Sequence, residues 1–441
     1  MEYISDEEKN AGLTQEPWGL AHGEIEQAAQ TGRAVTALRD RLAALTPADG
    51  AALLEVYEEA LALPPAADWP YTEPSDPDEI RLALPADDDP QPAVPDLADR
   101  VHGAWTGRVI GNTIGKPFEI GPTRETIRGY LGSIGAYPLR GYVPFAEGAD
   151  RSVLGRWGFE GITEGRISGA VRDDDIDFTV LGLHILETYG PTYTTRDVAR
   201  EWLSRFPVYQ VFTAERNAYQ NLVREVPLAE AGSHHNPFRE WIGALIRADI
   251  FGMVHPGRPR RAALLTLPDA LLSHRANGIY GQMWAAALLA TAFTAETPED
   301  CVAQSLRHIP AGSRLAAEIR AVAADHAAGT DWEQAIDRIT ARHTGMNWVH
   351  TINNAGALTA AILWGAGDFA TTVGLAVQAG LDTDSIGASA GAWAGAFTGF
   401  DRLPGDLVRP IEDTYRSGVF GVGDTRISNL ADRTLAIARN A

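Results

Sequence analysis

Cysteine is all but absent from this chain: a single residue, Cys301, stands in 441. One thiol closes no disulfide and completes no Cys-based zinc site within one chain. That suits a reducing compartment, so a cytoplasmic protein is expected. Positive charge is also scarce. Lys and Arg number 37 against 58 Asp and Glu, a formal charge of −21. That balance runs against a nucleic-acid binder, which needs a basic footprint, and against adhesion to anionic lipid. Long apolar runs are missing too. The longest are cut by Asp368, Asp382 and Asp401, so none reaches membrane-spanning length. The first residues, MEYISDEEKNAGL, are acidic and lack an apolar signal core. Alternating strand patterns are scarce, which leaves the helical period as the dominant signal.

That period organises the chain. Val35, Leu38, Leu42 and Leu45 mark an early amphipathic helix. Leu53, Tyr57 and Leu61 mark another, with Thr46-Pro47 as its expected opening. The stretch Pro64 to Asp96 holds nine of the 26 prolines beside many acids, so it cannot continue a helix and reads as a linker wrapping the surface. Beyond Leu97 the spacing predicts helices over 97–115, 176–189, 195–204, 236–252, 278–295, 314–326, 352–364, 368–380 and 385–399. The expectation is an all-α protein: a small helical extension at 1–63, a Pro/Asp-rich linker at 64–96 and a compact multi-helix catalytic domain at 97–441.

Two of these helices carry glycine ladders. Glycines fall at 103, 107, 111 and 115 in the first, and at 387, 391, 395 and 399 in the second. One glycine per turn keeps all four on one face. Glycine inside a helix costs about 1 kcal/mol relative to alanine, so close backbone packing must compensate. If the ladders face each other, the polar ends Glu119 and Asp382-Thr383-Asp384-Ser385 meet. The segment GNTIGK, Gly111 to Lys116, only glances at a phosphate-binding loop. It is one residue short between its glycines, and Pro117 stands where Ser or Thr is needed.

The carboxylates then stand out. In VRDDDIDFTVLGLHILE, Asp173, Asp174 and Asp175 open a helix whose stripe, Ile176, Val180, Leu183 and Leu186, is apolar. One Asp at a helix start is a cap; three at a dry helix mouth repel and drive protonation unless a cation joins them. Hard oxygen donors select Mg²⁺, Mn²⁺ or Ca²⁺ over zinc. Asp382, Asp384 and Ser385 repeat the arrangement at a second helix mouth. The triplet Asp87-Asp88-Asp89 is the contrast: prolines flank it and no apolar register follows, so it reads as a solvated loop.

Taken together, the Gly103–Glu119 helix, Asp173-Asp174-Asp175 and Asp382-Thr383-Asp384-Ser385 resemble the motifs of the ADP-ribosylglycohydrolase family, over about 97–400. The resemblance implies an all-α fold with two Mg²⁺ ions, or Mn²⁺, in a central cleft. It implies Asp173, Asp174, Asp175, Asp382, Asp384 and Ser385 as metal ligands, and Glu119, Asp174 and Asp382 as catalytic residues. Asn112 stands where the family has an aspartate, and Asp173 where it has a threonine. Candidates to line the substrate pocket are Asn112, His274, Asn277 and Tyr280, with Asn347, His350 and Asn354. The implied reaction is metal-dependent cleavage of the C1″ glycosidic bond of an ADP-ribosyl or ribosyl conjugate. The substrate is a modified protein side chain or, somewhat favoured by the altered motifs, a small-molecule N-riboside.

Two other readings fit parts of the sequence. Asp173-Asp174-x-x-Asp177 satisfies the DDxxD of class I terpene synthases, which are also helical and use Mg²⁺. That reading leaves Asp382, Asp384 and Ser385 without a role. The other is a non-catalytic module that binds ADP-ribose.

Overall fold

A computed structural model describes residues 16–86, 92–120, 122–147, 153–154 and 161–440. The triplet Asp87-Asp88-Asp89 and the acidic N-terminal segment lie outside these residues. Helices dominate. Among the described residues the only sheet is a two-stranded antiparallel ribbon, Thr414–Arg416 with Asp424–Arg426. No described helix is long and apolar enough to cross a membrane.

The two glycine helices, Leu97–Gly115 and Thr383–Thr398, form the central contact. They run antiparallel, backbone against backbone. A Cβ added to Gly103 would lie 2.3 Å from the Gly395 carbonyl oxygen. The same addition at Gly107 meets Gly391 O at 2.1 Å, at Gly111 it meets Gly387 O at 1.9 Å, and at Gly115 it meets Thr383 O at 2.1 Å. No side chain fits at any of these distances, which is why each turn carries glycine. The antiparallel direction sets the C-terminal end of the first helix beside the N-terminal end of the second. There Thr383 Oγ1 donates to Gly115 O at 2.9 Å.

Around this pair the wholly buried helix Asn277–Ala292 and the helices Thr351–Gly365, Phe369–Gln378 and Asp174–Tyr189 close one large core. Most expected helices are present within a few residues. The expected helix over 236–252 is not. Only Gly243–Ile246 and Asp249–Met253 are helical there. Trp241 pairs with His350 in an antiparallel bridge, and Ile242 N donates to Val349 O at 2.9 Å. A backbone committed to a neighbouring strand-like segment cannot also wind.

The N-terminal helices Pro17–Gln30, Thr36–Ala43 and Gly50–Ala62 share a small core of their own, with Ile25, Leu38, Leu42, Leu53 and Val56 buried in it. The first of these was not expected, because Glu24 and Gln27 are buried on the same face as Leu20, Ala21, Ile25 and Ala28 and interrupt the apolar stripe. The third begins at Gly50 rather than at Thr46-Pro47. The Asp49 carboxylate instead accepts from Thr46 N at 2.8 Å and Thr46 Oγ1 at 2.7 Å, making a turn ahead of the helix.

These helices dock on the remainder of the chain through buried polar groups. Arg239 grips Glu24 with two bonds of 2.7 Å. Glu240 accepts from Gln27 at 2.5 Å, from Asn277 at 2.8 Å and from Arg314 at 2.7 Å. Burial alone would raise the Glu240 carboxyl, but the charges of Arg314 and His350 hold it down at about 2. The proline-rich segment contributes Glu73, which accepts from Arg314, and the short helix Pro77–Ala83, whose Ile80 is buried in the large core.

The glycine contact yields a direct test. Gly111→Ala should lower unfolding stability by about 3 kcal/mol or more, the upper range for overpacking against an unyielding backbone. Gly129 lies inside the helix Arg124–Ser133 with nothing near its missing Cβ. Gly129→Ala should therefore raise stability by up to about 1 kcal/mol. Denaturant melts of both variants check the pair, and equal effects would contradict the packing.

Candidate active site

Both acidic helix mouths open at the junction the glycine contact creates. Asp173 is the N-cap of the helix Asp174–Tyr189, its Oδ1 accepting from Asp175 N at 2.9 Å. Asp382 precedes the helix Thr383–Thr398 without a side-chain cap bond, and Asp384 Oδ1 accepts from Ser385 N at 3.1 Å. Two helix N-termini, each a partial positive charge, thus point into one space. The halves touch: Ser385 Oγ donates to Asp175 Oδ1 at 3.2 Å, and Asn112 Nδ2 donates to Asp175 Oδ2 at 3.2 Å.

A lysine sits at the centre. Lys116 follows the last glycine of the first ladder and is buried. Its ammonium lies 2.6 Å from Glu119 Oε2 and 3.2 Å from Asp384 Oδ2, and it pairs with Asp173 Oδ2. Burial opposes its charge, but Asp173, Glu119 and Asp384 overcome that and raise it well above the ordinary lysine range. Asp173 is conversely held below the usual carboxylate range: burial would raise it, and the Lys116 charge and hydrogen bond win.

Four of the carboxyls, those of Glu119, Asp174, Asp175 and Asp382, are pushed upward. Burial, then the charge of Asp173, takes Asp174 up to about 7. Burial and Asp173 raise Asp175, and burial and Asp384 raise Asp382. Glu119 rises through burial and Asp384, with Lys116 opposing. These are acids short of positive charge. Together with the Ser385 hydroxyl they form an all-oxygen donor set that suits a hard divalent cation.

Further bonds hold the floor in place. Arg108, buried within the first glycine helix, donates to Asp175 O at 2.8 Å and also reaches Ile246 O and Asp249. Asn354 Oδ1 accepts from Asp382 N at 3.0 Å. Asp177 faces away from the cleft. It accepts from Arg172 Nε at 2.8 Å, from Ser417 Oγ at 2.7 Å and from Gly418 N at 3.0 Å, and the Tyr415 hydroxyl lies 2.8 Å from it. The DDxxD reading needs Asp177 at the metal, and the C-terminal segment has taken it.

Above the acids is a cleft of 390 Å³. Its floor is Glu119, Asp174, Asp175, Asp382, Asp384 and Ser385. Its walls include the aromatic rings of Tyr209, Phe212, Trp241 and Trp348, and the polar groups of Glu215, Arg216 and Asn347. Arg216 lies over the Phe212 ring at 4.9 Å. Glu215 pairs with buried Arg247, and Gly243 makes room for it, since a Cβ there would meet Glu215 Oε1 at 2.1 Å.

Of the residues expected at the substrate, Asn347 lines this cleft and Asn112 touches its floor from behind. Asn354 acts through the Asp382 backbone. Four others stand elsewhere. His274 is buried against Ser273 at 2.8 Å, and burial, with Arg247 and Arg275, lowers it well below the ordinary histidine range. Asn277 serves Glu240 and Leu315 N. The Tyr280 hydroxyl donates to Pro74 O, holding the proline-rich segment. His350 caps the helix Thr351–Gly365, its Nδ1 accepting from Ile352 N at 3.2 Å, and burial lowers it to about 3. In each case the polar side chain resolves a buried backbone or charge need, which a motif string does not reveal.

Sequence reasoning missed Lys116 and the aromatic wall. The signal for Lys116 was legible: a lysine closing a helix of small, buried residues must find anions. Trp241 fell inside the helix expected over 236–252, and in the structure neither it nor Trp348 lies within a helix.

The sequence matches the ADP-ribosylglycohydrolase family over residues 93–441, and the chain belongs to that family. A solved structure described as an ADP-ribosylglycohydrolase-related protein complex is similar at 19% identity and a TM-score of 0.48, covering 78% of this chain and 98% of that one. No curated protein matches the sequence.

The raised acids predict a pH dependence. A carboxyl whose folded pKa lies above its unfolded value destabilises the fold once ionised. The stability it withdraws is lost as pH rises from about 4, its unfolded value, through its folded value, which is about 7 for Asp174. EDTA-treated protein should therefore lose melting temperature between about pH 5 and about pH 8 relative to protein with Mg²⁺ or Mn²⁺. Parallel pH curves with and without the cation would contradict the charge shortage.

Proposed function

We propose that the chain is a cation-dependent glycoside hydrolase that cleaves the C1″ bond of a ribosyl or ADP-ribosyl conjugate, with a small-molecule N-riboside the favoured substrate. The observation that carries this reading is an acidic floor, at two converging helix N-termini, directly beneath an aromatic-walled cleft.

Size and charge support the preference. A cleft of 390 Å³ is near the low end of small-molecule sites, about 300–1,000 Å³, and suits a nucleoside-sized ligand. Among the described residues that line it, Arg216 is the only cation. A pyrophosphate needs such partners.

Asp174, Asp175, Asp382, Asp384 and Ser385 would hold the divalent cation, with Mg²⁺ or Mn²⁺ favoured by the oxygen donors. When bound, the cation supplies Lewis acidity toward the ribose hydroxyls and the attacking water. The chain's own groups do the rest. The acidic floor faces the sugar and stabilises the positive charge that develops at C1″ as the glycosidic bond lengthens. Glu119 stands at the cleft edge to take the water's proton, with the Lys116 ammonium 2.6 Å away to balance the charge. Tyr209, Trp241 and Trp348 offer flat faces to an aromatic aglycone and exclude water from it.

Incubation with Mg²⁺ and a panel of ribosyl and ADP-ribosyl conjugates, read by mass spectrometry, tests the reading. Release of a base or aglycone from a ribosyl small molecule is expected; binding without turnover across the panel would leave the binding-module reading in its place. On a substrate so found, Asp382→Asn should cut turnover by about 100-fold or more, the scale of losing a transition-state electrostatic group. The fold should survive and the exposed Asp401→Asn should be silent. Trp348→Ala should raise KM about 10-fold, the scale of one stacked base, with kcat nearly unchanged. An unaffected KM in both Trp348→Ala and Trp241→Ala would remove the aromatic wall from recognition.

A further inference from the structure

Glu119, Asp173 and Asp384 are a group whose ligand oxygens all lie within 4.8 Å of one another, close enough to hold a metal ion. An oxygen of each of the same three residues contacts the Lys116 ammonium. The three N–H donors of an ammonium match three carboxylate acceptors, and Lys116 reaches them from a helix end that the glycine contact holds rigidly in place. Its side chain is 6% exposed, against 1% for Asp173 and 4% for Asp384. Solvent does not compete for it, and it has no other place to go: its own helix is packed backbone to backbone at Gly115.

Two cations cannot share this cage. At about 4 Å, an ammonium and a divalent ion repel strongly in a buried site. We propose that Lys116 is a tethered cation standing in for one of the two metal ions that the family's fold accommodates, so that this chain binds a single divalent ion, on the Asp174, Asp175 and Asp382 side. This rests on the cation-dependent reading above, but it concerns how the site is loaded rather than what it hydrolyses. Among the described residues Asp174, Asp175 and Asp382 make no ion pair, unlike the three carboxylates around Lys116, and all three line the cleft. Asn112 fits the same account: a neutral amide, not another carboxylate, meets Asp175 at 3.2 Å where less metal charge is present to be balanced. The ammonium also differs from a metal in what it offers. It donates to its three carboxylates, but it has no vacant coordination position and does not exchange with the medium.

The experiment counts ions and needs no substrate. Unmodified protein, stripped with EDTA and titrated with Mn²⁺, should bind one ion per chain by calorimetry and elemental analysis. Its electron paramagnetic resonance spectrum at saturation should be that of isolated Mn²⁺, without spin coupling. Lys116→Met keeps the length of the side chain and removes the charge; it should bind a second Mn²⁺, show a coupled pair, and gain more melting temperature from Mn²⁺ than the unmodified protein does. Should Lys116→Met fail to fold without metal, refolding in Mn²⁺ gives the same count, and the stoichiometry of the unmodified protein stands by itself. Two coupled ions in the unmodified protein would overturn the proposal, as would none, or a single ion in both proteins. A correct count with no glycosidase activity would leave this inference standing and remove the proposed reaction instead.

Discussion

The contact between the two glycine helices governs the rest of the structure. Backbone meets backbone at four successive turns, from Gly103 against Gly395 to Gly115 against Thr383. Because the contact has no side chains to slide or repack, it sets register as well as direction. The antiparallel register delivers Lys116 to the mouth of the second helix, where Asp384 and Ser385 begin. The loss of helix propensity at each glycine is offset by an approach that no larger residue permits. The helices that flank the pair, the wholly buried Asn277–Ala292 and the nearly buried Thr351–Gly365, complete the shell that keeps this junction dry.

Dryness makes the charge problem acute. Six carboxylates, from Glu119, Asp173, Asp174, Asp175, Asp382 and Asp384, converge where water is largely excluded. Two helix N-termini and the Lys116 ammonium offset part of that charge, and what remains uncompensated pushes Asp174, Asp175 and Asp382 toward protonation. A cluster of acids that could hold a cation is thereby a product of the fold itself. The same logic separates Asp177 from its neighbours. Arg172, Tyr415, Ser417 and Gly418 satisfy it fully, so it anchors the C-terminal ribbon and takes no part in the cleft.

The N-terminal helices follow a different rule. Their shared apolar core is small, and their union with the main body is polar. Gln27, Glu73, Glu240 and Arg314 form one bonded network, to which Asn277 also belongs, and the Glu24–Arg239 pair lies beside it. Such a network is satisfied only when every member is present. It recruits side chains whose sequence context suggested a substrate role, which is why Asn277 and His350 are spent on architecture.

Local chemistry was enough to determine the all-α class, the positions of most helices beyond Leu97, the two glycine faces and the acidic helix mouths. Periodicity and composition are properties of neighbouring residues, and the glycine ladder is so costly alone that it announces its partner. The identity of Asp173, Asp174, Asp175, Asp382, Asp384 and Ser385 as a converging set was legible for the same reason. What tertiary structure alone decided is which side chains reach the cleft. Trp241 and Trp348 reach the cleft because the 241–242 and 349–350 backbones pair, a long-range bond that also cancels the helix expected over 236–252. His274 and Tyr280 turn inward because distant backbone and charge need them there. Lys116 lies between the two cases. Its burial follows from the ladder it terminates, but its three partners come from segments about 57 and 268 residues away and from its own turn, and only the closed fold brings those charges to one point.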